Sequence, residues 1–167
     1  VVYGASWDGR PAHLFSTRIE GGPSIPIGES DASLLAISAP GELLVSLDAW
    51  PWLPYLSIGT AARMPPVAGA PRPLLEGVAS ADYVAGSSDI VVVRRQDGFT
   101  RLEVRGRNTL FRTSGWISHV RSSPDGRFVA FLHHLAIPDD AGDVMLVGLA
   151  GEAPRVLSAG WISLTGL

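Results

Sequence analysis

Apolar residues in this chain come in short runs, each cut off by Gly, Pro, Ser or Asp. Leu43-Leu-Val-Ser-Leu47, Ile90-Val-Val-Val-Arg94 and Phe128-Val-Ala-Phe-Leu132 are representative. No stretch sustains the i, i+3, i+4, i+7 spacing of an amphipathic helix, so the pattern predicts many short strands and few helices. The punctuation is itself periodic. Gly41, Ser88 and Gly126 occupy the same place before an apolar run, 47 and 38 residues apart. Gly22, Gly69, Gly106 and Gly151 form a second series with steps of 47, 37 and 45, and Gly77, Gly115 and Gly160 a third with steps of 38 and 45. Gly115-Trp-Ile-Ser-His and Gly160-Trp-Ile-Ser-Leu are nearly identical, and Gly69-Ala-Pro-Arg-Pro-Leu74 echoes Gly151-Glu-Ala-Pro-Arg-Val-Leu157 two units further along.

A unit of about 40 to 45 residues with four short strands is the pattern of a β-propeller blade, whose sheet must stack on neighbours to cover its faces. A β-sandwich also has many short strands, but they do not repeat in fours at a fixed step. The expected fold is therefore all-β, a β-propeller of four-stranded antiparallel blades. About four blades' worth of strands are present, as a complete ring or a fragment of a larger propeller. The units run 1–28, 34–77, 78–115 and 116–160, with 161–167 starting a further blade or closing the first. Strand position A falls at Leu34 to Ile37, Ala79 to Tyr83, Ile117 to Arg121 and Ile162 to Gly166. Position B falls at Val1 to Gly4, Leu43 to Leu47, Ile90 to Arg94 and Phe128 to Leu132. Position C falls at His13 to Thr17, Tyr55 to Ile58, Arg101 to Val104 and Val144 to Leu149; position D at Ser24 to Ile27, Arg72 to Leu75, Thr109 to Arg112 and Arg155 to Ser158. Turn chemistry agrees: Ser123-Pro-Asp-Gly126 suits an A–B turn, and Asp97-Gly98 is a hairpin signal.

Trp116-Ile-Ser-His-Val-Arg-Ser-Ser-Pro-Asp-Gly-Arg-Phe-Val-Ala-Phe131 resembles the TolB-like, WD-like propeller repeat, with its Ser-Pro-Asp-Gly turn and following Val-Ala strand. From Tyr3-Gly-Ala-Ser-Trp-Asp-Gly9 onward, the chain is similar to the propeller that follows the kinase or DNA-binding domain of certain bacterial signalling proteins. Ser38-Ala-Pro-Gly41 and Ala85-Gly-Ser-Ser88 depart from the repeat's turn and match it by position only. The resemblance implies a non-catalytic protein-interaction or ligand-sensing module of a serine/threonine kinase or transcriptional regulator. The alternative is the substrate-gating propeller of a prolyl-oligopeptidase-like hydrolase whose catalytic domain lies elsewhere. The start at Val1, without Met or a basic leader, and the end inside a strand position read as a segment of a longer protein. Open edges of an incomplete ring would allow self-association.

Composition narrows the partners. A formal charge of −3 supplies no electropositive field for a phosphate backbone, which argues against nucleic acid and leaves a protein or small ligand. No apolar run approaches the roughly 18 to 20 residues of a membrane span, so direct insertion is not expected and the domain reads as soluble. The absence of cysteine excludes disulfides and thiolate sites and leaves the compartment open. The resemblance adds one address, the extracytoplasmic part of a membrane-anchored bacterial protein.

Catalytic signatures do not emerge. Gly4-Ala-Ser-Trp-Asp8 lacks the second glycine of a nucleophile elbow, and neither a phosphate loop nor His-Glu-x-x-His occurs. His133 and His134, adjacent in a strand, should face opposite ways, which is poor geometry for a shared metal. The loop Pro138-Asp-Asp-Ala-Gly-Asp143 lacks the alternating ligands of a calcium loop and reads as a polar hairpin. No catalytic residue, metal site or cofactor is expected. The tryptophans carry more information. Strand alternation places all five on the end of the molecule that holds B–C loops and D–A connections: Trp7, Trp50 and Trp52 in loops, Trp116 and Trp161 just after connections. With Asp8, Asp139 and Asp140 at the rim they are the candidate binding residues. Packing between blades is the competing role for Trp116 and Trp161, and binding and packing are even for Trp50 and Trp52.

Overall fold

The computed structural model describes residues 1–6, 12–28, 31–53, 56–66 and 69–166. Fourteen strands and no helix occur among them: β1 (Val2–Ala5), β2 (His13–Ser16), β3 (Ile25–Ile27), β4 (Ala32–Ile37), β5 (Leu43–Leu53), β6 (Leu56–Met64), β7 (Arg72–Tyr83), β8 (Ile90–Gln96), β9 (Phe99–Val104), β10 (Thr109–Thr113), β11 (Trp116–Ser122), β12 (Phe128–His134), β13 (Gly142–Gly148) and β14 (Arg155–Trp161). The fold is all-β. Every pairing is antiparallel between strands consecutive in sequence, in sheets β1-β2-β3, β4 through β10, and β11-β12-β13-β14.

The seven-stranded sheet hinges on β7. Arg72 to Leu75 pair with β6 and Val78 to Tyr83 with β8, with Gly77 at φ +72° between them. Two predicted strands thus run together as one, because a glycine in the left-handed region redirects the chain without breaking it. Each predicted strand position except the last coincides with or overlaps an observed strand. Ile162 to Gly166 forms none. Leu164 N–H donates to Asp140 O (3.0 Å) and the Ser163 hydroxyl to the Asp140 carboxylate (2.7 Å), so this segment lies against the β12–β13 connection. A strand exists only through a hydrogen-bonding neighbour, and among the described residues β1 pairs with β2 alone.

Of three apolar cores, the first and third lie between sheets and the second lies within the seven-stranded sheet, between strands β4 to β8. Leu14, Ile27, Ala32, Leu43, Val45, Ala62 and Met64 form the first; Ala36, Leu44, Ala61, Val78, Ala81, Ile90 and Val92 belong to the second. Ala79, Val91, Val93, Leu102, Ile117, Val129, Phe131 and Val147 belong to the third. Period-two geometry explains the all-apolar runs. Ile90 and Val92 enter one core while Val91 and Val93 enter the next, so both faces of β8 are covered. Each such side chain contributes about 1.5–3 kcal/mol relative to exposure.

The turns follow their sequence. Asp97 (φ 52°) and Gly98 (φ 77°) both take positive φ, as a two-residue hairpin with matching twist requires. In Ser123-Pro-Asp-Gly126, Gly126 N–H donates to Ser123 O (2.9 Å), and the Ser123 hydroxyl accepts from Arg127 N–H (3.2 Å) and Phe128 N–H (3.0 Å). The Ser123 hydroxyl donates to the Asp125 carboxylate (2.5 Å) and Arg127 N–H adds a second bond to it (3.1 Å), and these two bonds hold the carboxyl below the usual range. Ser38 to Glu42 and Val84 to Asp89 close by the same outer bond, from the N–H of the first residue to the carbonyl of the last, despite their different wording.

Candidate functional site

The predicted residues divide sharply once placed. Trp7 and Asp8 lie outside the described residues. Trp50 and Trp52, expected in a loop, sit inside β5, because the β5–β6 ladder continues past the bulge at Asp48 (φ 49°) through Trp50↔Ile58, Pro51↔Ser57 and Leu53↔Leu56. The two prolines suggested a loop, but bulges give a proline a ladder site where its missing N–H costs little. Trp50 remains 53% exposed. Trp52 is half-buried against the third core, with the Arg95 guanidinium 5.1 Å above its ring. Such a contact is worth about 0.5–2 kcal/mol, and it fastens the hairpin to β8.

Trp116 is a packing residue, 3% exposed. Its ring stacks on His134 at 3.6 Å and 9°, and its Nε1–H donates to Ala136 O (3.2 Å) and Asp139 O (2.8 Å). Asp139 accepts from Ala141 N–H (3.0 Å) in a local turn, and Asp140 holds Ser163. Both carboxylates therefore shape the β12–β13 connection. Trp161 ends β14, across from Gly142, is 51% exposed, and donates through Nε1 to the Ser158 hydroxyl (2.9 Å). Trp116, Asp139, Asp140 and Trp161 thus gather around one connection, whereas Trp50 and Trp52 belong to the β5–β6 hairpin.

His133 and His134 point to opposite sides of β12. Nε2 of His133 meets the Thr113 hydroxyl (2.9 Å), and its ring lies edge-on to Phe111. His134 is fully buried, with Nε2 at the Ser118 hydroxyl (2.9 Å) and Nδ1 at Asp140 O (3.0 Å). Burial pushes both imidazoles below their usual pKa. Among the described residues no three His, Cys, Asp or Glu side chains converge as a metal site.

A second surface went unread. The turns after β4, β7 and β11 line a cleft of about 750 Å³ that also holds Glu42, Arg63, Asp82 and Tyr83. The Tyr83 hydroxyl donates to Glu42 (3.1 Å), Arg63 Nε stands 3.6 Å from the same carboxylate, and Asp82 accepts from Ser122 N–H (2.8 Å) on β11. Burial and the Glu42 carboxylate push the Tyr83 phenol well above its usual pKa. The available signal was the placement of Glu42, Asp82 and Tyr83 directly beside predicted A–B turns. Comparison with known proteins found no family model that matches the chain and no curated protein that matches it.

Proposed function

We propose that the chain is a run of four-stranded β-propeller blades, TolB-like in its repeat, that serves a bacterial signalling protein as a non-catalytic recognition module. Consecutive antiparallel strands, with two apolar cores between sheets and a third within the seven-stranded sheet, support the architectural part. The functional part rests on one observation. Trp50 keeps half its surface open on a hairpin that Trp52 and Arg95 hold in place. A large aromatic on a fixed support loses little freedom on binding, which is the property of an anchor residue. The occupant is a protein or a small ligand. Trp52 acts as support, and Asp139 and Asp140 act within their own loop.

The test is affinity measurement with each purified partner recovered by the chain. Trp50→Ala should weaken binding by about 2 kcal/mol or more, some thirtyfold, while Glu42→Gln at the opposite end should leave it unchanged. Normal binding by a folded Trp50→Ala together with loss in Glu42→Gln would move the site to the turn-lined cleft. Peptidase, kinase or glycosidase turnover by the chain, abolished by one substitution, would defeat the non-catalytic reading.

A further inference from the structure

A chain of side-chain hydrogen bonds connects an irregular point of β11 to the β12–β13 connection. Between Ser118↔Leu132 and Arg121↔Ala130 the register slips, so His119 and Val120 together occupy the space opposite Phe131. His119 takes φ 50° there, a conformation most side chains avoid. Its Nδ1 lies 2.9 Å from the Ser118 hydroxyl, which lies 2.9 Å from His134 Nε2, and His134 Nδ1 lies 3.0 Å from Asp140 O. Ser118 and His134 are 1% and 0% exposed.

Elementary hydrogen-bond capacity fixes every proton in this chain. A carbonyl oxygen only accepts, so His134 must carry its proton on Nδ1. Its Nε2 then has a lone pair, and the Ser118 hydroxyl donates to it. Having spent its only proton, Ser118 accepts from His119, which therefore also carries its proton on Nδ1 and keeps Nε2 free. The order runs in one direction, from His119 through Ser118 and His134 to the Asp140 carbonyl.

Asp140 is also where residues 163 and 164 are held, and Trp116, stacked on His134, grips Ala136 O and Asp139 O in the same connection. We propose that Ser118, His119 and His134 form a two-step acid latch on the β12–β13 connection and on the segment at Asp140. A first proton binds His119 Nε2 and leaves every bond in place. A second binds His134 Nε2, where it takes the lone pair that received the Ser118 proton, leaving that hydroxyl without its acceptor and a cation in a closed apolar site. The stacked pair must then open toward water, releasing the carbonyls it held.

Exposure sets this order, since His134 is fully buried and His119 only half-buried. The neighbouring charges oppose both steps, Arg121 on β11 acting on His119 and His133 on β12 acting on His134. Among the carboxylates, that of Asp140 accepts from the Ser163 hydroxyl, and Asp143 on β13 accepts from Gly160 N–H (2.9 Å) and lies by His133. Asp82 on β7 is engaged by Ser122 N–H, and Glu103 on β9 pairs with Arg94 on β8 (3.4 Å). Burial lowers both histidines; at His134 the backbone of Asp140 and Ala141 offsets part of this by hydrogen bonding, and the charges of His119 and His133 lower it further.

Nitrogen-detected NMR of the full chain across pH 7.5 to 4.5 tests the latch. Expected at pH 7.5 are Nδ1–H tautomers for both His119 and His134. Exchange of the Trp116 indole and Leu164 amide protons, expressed relative to the unprotected rate at each pH, should change less than twofold while His119 charges, and accelerate at least tenfold as His134 charges. His119→Asn, which tolerates positive φ, should abolish the first step and keep the second. A proton on His134 Nε2 at pH 7.5 would overturn the proposal. So would constant exchange while His134 charges, or acceleration already at the His119 step. If the variant does not fold, tautomers and exchange in the parent chain decide alone.

Discussion

The β5–β6 hairpin and the β12–β13 connection stand at the same position of the repeat, yet they are built oppositely. The hairpin prolongs its ladder, so its backbone groups pair with each other, and it needs side chains only to fix its tilt: Trp52 under Arg95 does so and leaves Trp50 open. The connection has no ladder between Leu135 and Ala141, so its carbonyls must be met by side chains. Trp116 and His134 supply those donors and are buried in doing so. The same residue type therefore has opposite work. Trp50, beside a self-satisfied hairpin, is free to bind, and Trp116, whose indole meets the carbonyls of an irregular loop, is consumed by structure.

The largest test of this contrast lies in the glycines around the connection. A methyl group at Gly115 would collide with His134 O and Leu135, and one at Gly142 with His133 O. These are backbone atoms that cannot swing aside. Gly115→Ala and Gly142→Ala should each cost more than about 3 kcal/mol in chemical denaturation, at the upper end for single substitutions. A loss below 1 kcal/mol would mean the connection is looser than described.

Next comes Trp116→Phe, which keeps an aromatic ring over His134 but removes the N–H. Two hydrogen bonds are lost, and at about 0.5–1.5 kcal/mol each the expected cost is about 1–3 kcal/mol. Unchanged stability would show that the indole bonds contribute nothing and that stacking alone holds the loop.

Acid should act on the connection before the hairpin. His119, His133 and His134 all have folded pKa values below the unfolded value of about 6.5. The unfolded chain therefore binds more protons between those values. Their contribution is complete above the unfolded pKa and declines as pH falls toward each folded value. Each histidine adds at most about 1.4 kcal/mol per pH unit to the slope. Urea midpoints should thus fall between pH 7.5 and 5. A flat profile would contradict the burial of these rings.

The smallest effect belongs to Arg95→Ala, expected to cost about 1 kcal/mol or less through the lost contact with Trp52. In a double-mutant cycle with Trp52→Ala the coupling should be positive and of that size. Zero coupling would leave the hairpin without its fastening.

The strand positions were legible because period-two runs such as Ile90 to Val93 and turn pairs such as Asp97-Gly98 encode local geometry directly. Hairpin length was not legible. Pro51 and Pro54 suggested a loop, and nothing local reveals that a bulge at Asp48 lets the ladder resume. Merging of two strands in β7 likewise depends on the residues on either side of Gly77 finding partners in β6 and β8. The histidines were correctly expected on opposite faces, since alternation is local, but the bonds of His134 to Ser118 and Asp140 depend on pairing between strands. The fates of Trp50 and Trp116 diverged for the same reason: exposure is decided by what the neighbouring backbone lacks.

Thermal unfolding of Trp50→Ala and Trp116→Ala, measured side by side, tests the contrast most directly. Loss of the buried Trp116 should cost about 3–5 kcal/mol, lowering Tm by at least about 6 °C in a chain of this size, whereas loss of the open Trp50 should move Tm by no more than about 2 °C. Equal shifts, or a larger one for Trp50→Ala, would contradict the assignment of one tryptophan to structure and the other to recognition.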